Sequence, residues 1–176
     1  MKRNPLAHPA PLIRRVHAYA AYRLGNGPDA EDVTNEVFVR ALRGIDTFDA
    51  AKGEPVAWLL GIARRVVSEE LARRANAPQA ELPSLAARDD VVQSSLTRLT
   101  LVAAVRKLGE RDAELIALRY GADLRVSDVA RIVGLSKNAT DVALHRARLR
   151  LAELLAEESE VPDTSGAVSF SLGSPY

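Results

Sequence analysis

The sequence predicts an all-α fold: two small helical domains joined by a flexible linker. Ala, Leu, Arg and Glu dominate the 176 residues, of which 47% are hydrophobic and 27% charged, a balance typical of globular proteins. β-Branched residues seldom alternate with polar ones, and no Asn-Gly or Asp-Gly turn separates alternating runs, which argues against strands. Near the middle of the chain, a stretch containing Pro and Ser interrupts the helical periodicity and indicates the division into two domains.

The first half of the sequence predicts three helices. Apolar residues recur at helical spacing from Leu12 to Leu24, and Gly25-Asn26-Gly27-Pro28 ends that run. A second helix, running to about Gly44, has Asp29 placed to cap its N-terminus. Its expected apolar stripe comprises Val33, Val37, Ala41 and Leu42. A third helix begins at Pro55, because a missing N–H costs nothing at the first helical position. Its expected buried side comprises Leu59, Ile62, Val66 and Trp58.

The periodicity fails from Ala75 to about Ser95, which predicts a linker, and resumes with two helices around Leu96–Leu108 and ERDAELIALRYG. The following passage predicts a helix-turn-helix unit. Ser127 is expected to cap a short helix that ends at Gly134, and Ser136 to cap a longer one. Its buried side is expected to comprise Thr140, Leu144, Ala147, Leu151 and Leu154. Beyond Glu157 the composition predicts a disordered tail.

The polar face of that last helix is basic, with one acidic residue opposing the positive charge. It carries Lys137, Asn138, Asp141, His145, Arg146, Arg148 and Arg150. Such a face meets phosphates electrostatically, although two amphipathic helices around a Gly also occur in plain helical bundles. The formal net charge of +1 does not by itself indicate a nucleic-acid binder.

Several classes of protein are not expected. The chain has no Cys, so it has no disulfide and no thiol nucleophile, which fits a reducing cytoplasm. Prolines interrupt the N-terminus where a signal peptide needs an apolar core, and no stretch approaches membrane-spanning length. His8, His17 and His145 are scattered along the sequence, so we expect neither a metal cluster nor a catalytic triad. We also expect no cofactor, no small-molecule substrate and no catalysis. Cytoplasmic location is the expectation.

The aromatic residues near the third helix have two readings. Trp58 falls on an apolar helix face, where a core role is favoured. Phe48 lies in the loop from Asp46 to Glu54, and aromatics near Arg64 and Arg65 are also suited to stacking on unpaired bases, so the role of Phe48 stays open.

Two segments resemble the extracytoplasmic-function (ECF) sigma factors of the sigma-70 family. GPDAEDVTNEVFVRALRGIDTF, followed by PVAWLLGIARRVVSEELARR, is similar to sigma region 2. LGERDAELIALRYGADLRVSDVARIVGLSKNATDVALHRARLRL is similar to sigma region 4. The resemblance implies a region 2 helical domain over residues 1–75, a linker over 76–95, a region 4 helix-turn-helix domain over 96–156 and a tail over 157–176.

The resemblance also implies partners and sites. It implies binding to the RNA polymerase core enzyme, to promoter DNA and to an anti-sigma factor. Core binding would fall on Asp29, Asp32, Asn35 and Glu36. The minus-10 element would be bound by Phe48, Lys52, Arg64 and Arg65. The minus-35 element would be bound by Lys137, Asn138, Asp141, His145, Arg146 and Arg148. A stand-alone helix-turn-helix transcriptional regulator is the alternative, and it would not need the acidic helix.

The sequence departs from the family pattern in both promoter-binding parts. Arg65 stands where Asn is common and Glu69 where Asp is common. In the last helix, Ala139–Ala143 replaces the usual Thr-Val-Lys-Ser-Arg run, so two basic positions are lost. We therefore expect an atypical promoter.

Overall fold

A computed structural model describes residues 4–76 and 92–159, and both stretches are helical. The helices are α1 (Pro9–Leu24), α2 (Pro28–Arg43), α3 (Pro55–Asn76), α4 (Val92–Lys107), α5 (Glu110–Ile116), α6 (Val126–Val133) and α7 (Lys137–Ser159). Short 3-10 turns at Ile45–Thr47 and Ala50–Lys52 connect α2 to α3, and α5 continues into a π-helical turn, Ala117–Gly121. The predicted all-α fold is confirmed. We call α1 to α3 the first half and α4 to α7 the second half.

Proline begins each helix of the first half. Pro9, Pro28 and Pro55 occupy the first helical positions, where a backbone N–H has no helical acceptor. The predicted start at Pro55 is confirmed, whereas the predicted cap at Asp29 is wrong. Gly27 is the N-cap of α2, and Asp29 lies inside the first turn because the helix already begins at Pro28. There its charge faces the positive end of the helix dipole.

The first half packs around an apolar core contributed by all three helices. In α2, Val33, Val37 and Ala41 are buried as predicted, but Leu42 is 61% exposed, so its assignment to the core is wrong. One residue beyond Ala41 is a rotation of about 100°, which turns Leu42 away from α1 and α3. The buried residues of α3 are Val56, Leu59, Leu60, Ala63, Val66 and Val67. Ile62 and Trp58 are partly buried against this core.

In the second half, α6 and α7 form the predicted helix-turn-helix unit. Gly134 ends α6 in the left-handed conformation, with φ of 72°, as a glycine does easily. The Ser136 hydroxyl accepts a hydrogen bond from the Ala139 N–H at 3.1 Å, so the predicted cap of α7 is confirmed. The predicted cap at Ser127 is wrong. Arg125 is the N-cap of α6 and makes no side-chain cap bond, and Ser127 is already helical.

The inner face of α7 follows the predicted pattern. Thr140, Leu144 and Ala147 are buried. Leu151 and Leu154 are partly buried against a smaller apolar cluster that includes Val105, Leu108, Ala113 and Ile116. The α7 stripe therefore fixes the helix against α4 and α5, and its opposite face is left to solvent.

The two halves pack against each other and share one apolar core, which the sequence did not predict. That core joins Val16 and Tyr19 of α1 to Leu118, Val129 and Leu144 of the second half. Gly121 lies close against α1. A Cβ atom on Gly121 would lie 3.1 and 3.2 Å from carbons of the Tyr22 ring and 3.3 Å from the Ala18 carbonyl oxygen.

Most of the predicted linker and tail lie outside the described residues. Helix α4 begins at Val92, inside the stretch 76–95 predicted as linker, and α7 extends to Ser159, past the predicted start of the tail. Residues 77–91 and 160–176 are not described. Within the described ranges, no helix is both long enough and apolar enough to span a bilayer.

Candidate nucleic-acid and partner-binding surfaces

The acidic face of α2 points outward from the first half. Asp29, Asp32 and Asn35 are exposed, and Glu36 is partly exposed. These four positions follow one another at helical spacing over the first two turns and a half of α2, so they form a continuous acidic strip. We call Asp29, Asp32, Asn35 and Glu36 the acidic strip.

Two members of the acidic strip are already paired within the first half. Asp29 accepts a hydrogen bond from Arg74 at the end of α3. Arg74 also donates to Glu70 at 2.9 Å. Glu70 accepts two further hydrogen bonds from Arg73, and this bonding lowers the pKa of the Glu70 carboxyl below its usual value. The network ties the end of α3 to the start of α2, so Asp32 and Asn35 are the members most available to a partner.

Arg40 holds α2 to α3 through a two-pronged contact. Its guanidinium donates to both carboxylate oxygens of Glu69, at 2.9 and 2.7 Å, and to Glu36 at 2.7 Å. The hydrogen bond from Arg40 lowers the pKa of Glu69, and the hydrogen bonds to Glu69 and Glu36 raise the pKa of Arg40. Glu69 is one of the positions where the sequence departs from the family. Its carboxylate here serves the packing of two helices.

The loop between α2 and α3 presents an aromatic pair and a lysine. The rings of Phe48 and Trp58 lie 5.6 Å apart at a tilt of 60°. Asp49 caps the 3-10 turn by accepting from the Ala51 N–H at 3.0 Å, and the Lys52 side chain is largely exposed. Trp58 is partly buried, so the core role that the sequence favoured holds in part, and its ring packs against that of Phe48.

On α3, the neighbouring arginines Arg64 and Arg65 differ in environment. Arg65 is exposed. Arg64 donates to the Glu114 carboxylate at 2.6 Å and to the Ile132 carbonyl at 3.0 Å, both in the second half. The structure therefore leaves Arg65 exposed and gives Arg64 intramolecular partners.

The outer face of α7 carries all the residues predicted for it. Lys137, Asn138, Asp141, His145, Arg146 and Arg148 are exposed. Between them the helix also exposes Ala139 and Val142. Arg150 forms an ion pair with Asp112 of α5, so its positive charge is already balanced within the protein. The N-terminal part of this face therefore exposes basic, acidic and apolar side chains together, and the part around Arg146 and Arg148 is basic.

The sequence reasoning missed four arginines that join the halves, namely Arg15, Arg23, Arg125 and Arg131. Arg23 is 8% exposed, and its Nε atom has no hydrogen-bond partner among the residues that the structure describes. A signal was present, because Arg23 lies four residues after Tyr19 on the apolar face of α1, where a charge needs a partner. Within residues 4–76 and 92–159, no three His, Asp or Glu side chains come together in a way that could hold a metal ion.

A small helical bundle with an acidic exposed helix, joined to a helix-turn-helix unit with a basic outer face, defines a DNA-binding transcription protein. The first half matches the family described as Sigma-70 region 2 over residues 11–77, and the second half matches Sigma-70, region 4 over residues 98–151. The chain belongs to the ECF sigma factors of the sigma-70 family.

Named relatives agree with this membership. The ECF RNA polymerase sigma factor BldN of Streptomyces coelicolor is 34% identical over 151 residues, which is 82% of this chain and 57% of BldN. The chain thus spans little more than half the length of that relative. The RNA polymerase sigma factor CnrH of Cupriavidus metallidurans is 30% identical over 146 residues, covering 75% of this chain and 76% of CnrH.

Solved structures share the fold. The sigma factor RpoE in complex with the anti-sigma factor NepR, from Bartonella quintana, superposes with a TM-score of 0.69 and 23% identity over 82% of this chain and 92% of RpoE. CnrH in complex with the cytosolic domain of CnrY gives a TM-score of 0.57 and 24% identity over 86% of this chain and 84% of CnrH.

Proposed function

We propose that this protein is an RNA polymerase sigma factor that directs promoter-specific transcription initiation. The observation that carries the proposal is the presence of both sigma regions in one chain, with the acidic strip exposed on the first and a basic face exposed on the second. A stand-alone helix-turn-helix regulator would have no use for the first of these regions. The proposed parts are region 2 over residues 1–75, a linker over 76–95, region 4 over 96–156 and a tail over 157–176.

The acidic strip is assigned to the core enzyme. A charged helix face recognises a complementary helical surface mainly by orienting the encounter, and rim charges act chiefly on the association rate. Asp32 and Asn35 are exposed and have no role in holding α2 to α3, whereas Asp29 and Glu36 are shared with Arg74 and Arg40. Asp32 and Asn35 are therefore the residues whose replacement tests docking without disturbing the bundle.

The loop and outer side of α3 are assigned to the minus-10 element. Phe48 offers a ring for stacking on an unpaired base, and Lys52, Arg64 and Arg65 offer charge to the strand backbone. Drawing a base out of the stack costs a few kcal/mol, which stacking and pocket contacts offset. The tilted contact with Trp58 holds the Phe48 ring in place before DNA arrives.

The outer face of α7 is assigned to the minus-35 element. From Lys137 to Arg148 the helix is about 18 Å long, and the major groove, about 12 Å wide, admits an α-helix. Asp141 is placed to accept from a cytosine amino group, and exposed Val142 is suited to the methyl group of thymine. Arg146 and Arg148 supply contacts to phosphates.

The remaining assignments concern partners and chemistry. RpoE was solved with the anti-sigma factor NepR and CnrH with the cytosolic domain of CnrY, and we propose that an anti-sigma factor also binds this chain. The chain itself performs no catalysis, since polymerase makes the RNA, and it takes no cofactor and no small-molecule substrate. It works in the cytoplasm.

The docking assignment is tested with purified core polymerase and the Asp32→Lys, Asn35→Lys double variant. We expect at least tenfold weaker core binding, because two positive charges replace contacts on a complementary surface. The matched control is Glu153→Lys with Ala156→Lys, which makes the same charge change of +3 at exposed positions on α7. Both proteins should retain wild-type circular dichroism. Equal core affinity for the double variant and its control would remove the acidic strip from the interface.

A further inference from the structure

A polar cavity of about 390 Å³ lies where α1 and α3 meet α5 and α6. Its volume is within the range of about 300–1,000 Å³ that is usual for small-molecule sites in proteins. The polar part of its wall carries guanidinium groups, a hydroxyl and carboxylates, which belong to Arg23, Arg64, Arg111, Ser68, Glu110 and Glu114. We call it the arginine cavity. Of these residues, only Arg64 belongs to a surface assigned above.

Arg23 is the buried cation of the arginine cavity. Its side chain is 5% exposed, and its Nη1 atom donates to the Glu110 carbonyl at 2.7 Å. Its Nη2 atom lies 3.8 Å from the Glu110 carboxylate, which is longer than a hydrogen bond, and the Glu110 side chain is 76% exposed to water. The Nε atom has no hydrogen-bond partner in the part of the chain that the structure describes. A buried charge is costly unless it is closely paired, so the long contact with Glu110 compensates Arg23 poorly.

The other carboxylate of the wall is already engaged. Glu114 accepts a hydrogen bond from the Arg64 Nε atom at 2.6 Å, and its side chain is 13% exposed, so its charge is held at Arg64. Arg111 is exposed and makes no ion pair within the two described stretches. Arg23 and Arg111 therefore have only the loosely placed carboxylate of Glu110 to balance them, and the wall has an excess of positive charge.

A phosphate group has the chemistry that this wall lacks. Guanidinium groups bind phosphate through charge-assisted hydrogen bonds, which are often paired. Ser68 follows Arg64 by one helical turn on the same face of α3, and its hydroxyl is a further donor. The Glu110 carboxylate can accept hydrogen bonds from hydroxyl or amino groups elsewhere on a ligand. A cationic ligand would add to the excess positive charge instead of balancing it.

We propose that the arginine cavity binds a phosphate-bearing small molecule, with Arg23 and Arg111 as its principal ligands. The phosphate lies between α1 and α5, where it supplies the counter-charge of the buried guanidinium. Free phosphate and a nucleotide present the same group to these side chains, so both belong to the proposed class. The site is independent of the proposed sigma-factor function, because it requires neither polymerase nor DNA.

Binding to the full chain is measured by calorimetry and by the change in melting temperature. The probes are inorganic phosphate, AMP and adenosine, each at the same ionic strength. A molecule that binds only the folded protein raises the melting temperature as its concentration rises. We expect inorganic phosphate and AMP to bind with one site per chain, and adenosine, which has no phosphate, to leave the melting temperature unchanged. Tighter binding of AMP would identify a nucleotide site, and equal affinities a site for phosphate alone.

Two variants locate the site. Arg111→Ala, at an exposed position, should bind the phosphate probes at least tenfold more weakly, the scale of a charged hydrogen bond. Arg23→Met should do the same, and Arg111→Ala alone decides the question if Arg23→Met fails to fold. The matched control is Arg43→Ala, which makes the same charge change at an exposed position on α2 and should bind as wild type does.

Three results would overturn the proposal. If neither phosphate probe binds at millimolar concentrations, the arginine cavity holds only water. Equal weakening in Arg111→Ala and Arg43→Ala would indicate attraction to net positive charge and no specific site. Weakening in Arg146→Ala, with Arg111→Ala unchanged, would place the bound phosphate on the outer face of α7 instead.

Discussion

Gly121→Ala is expected to loosen the packing of the two halves. The added methyl group would meet two carbons of the Tyr22 ring at 3.1 and 3.2 Å and the Ala18 carbonyl oxygen at 3.3 Å. Unstrained carbon contacts lie at about 3.5–4.0 Å, so the ring or the turn must move by a few tenths of an ångström. The carbonyl belongs to the backbone of α1, and it cannot yield as a side-chain end can.

The size of the effect follows from two opposing contributions. Overpacking of this kind costs about 1–3 kcal/mol. Replacing Gly by Ala restricts the unfolded chain and returns about 0.4–1 kcal/mol. At the centres of these ranges, the net loss is about 1.3 kcal/mol. Because the contact joins α1 to the π-helical turn, the loss should appear first as separation of the halves, and then as lower resistance to denaturant.

The assay is denaturant unfolding combined with energy transfer between dyes on the two halves. A double-mutant cycle with Tyr22→Ala identifies the contact, since removing Cγ and the ring should recover the part of the loss that the ring causes. If Gly121→Ala were as stable and as closed as wild type, the close packing of the halves around Gly121 would be refuted.

Three further predictions concern single residues. Ser136→Ala should lower the free energy of unfolding by about 1 kcal/mol, because the Ala139 N–H loses its hydrogen-bond acceptor. Ser127→Ala, at a position that caps no helix, should lower it by less. Equal losses in the two variants would contradict the assignment of Ser136 as the cap. Burial raises the pKa of Tyr19 in the folded protein. The contribution of the protonated Tyr19 side chain to the free energy of unfolding is therefore complete below the ordinary tyrosine pKa of about 10. It is lost as the pH rises toward the pKa of the folded protein, by about 1.4 kcal/mol per pH unit. Alkaline unfolding of wild type and Tyr19→Phe checks this, and identical slopes would contradict it. Arg146→Ala should reduce the salt slope of minus-35 binding by about one, as measured by titration at several salt concentrations, whereas an unchanged slope would exclude a phosphate contact.

Much of the fold was predictable because it depends on local signals. Prolines and glycines mark helix ends through backbone constraints that act within a few residues, as at Pro55 and Gly134. Apolar spacing predicted the inner faces of α2 and α7 for the same reason. The errors at Asp29 and Ser127 are both errors of two positions, because the helix begins earlier and the expected capping residue lies inside its first turn.

The packing of the halves was not predictable from periodicity, because it depends on contacts far apart in sequence. Arg64 is separated from Glu114 by 50 positions and Arg15 from Ala122 by 107. A pattern read along one helix cannot assign such partners. The exposed faces of α2 and α7 were predicted, and the structure adds which of their charges are already paired, as for Asp29 and Arg150.

Transcription of genomic DNA by core polymerase, with and without this protein, tests the central claim most directly. If the chain brings polymerase to promoters, sequencing the transcripts will give discrete start sites that appear only with the protein and share two upstream motifs, one for each half of the chain. Transcripts identical to those of core polymerase alone, with no protein bound to core, would contradict it.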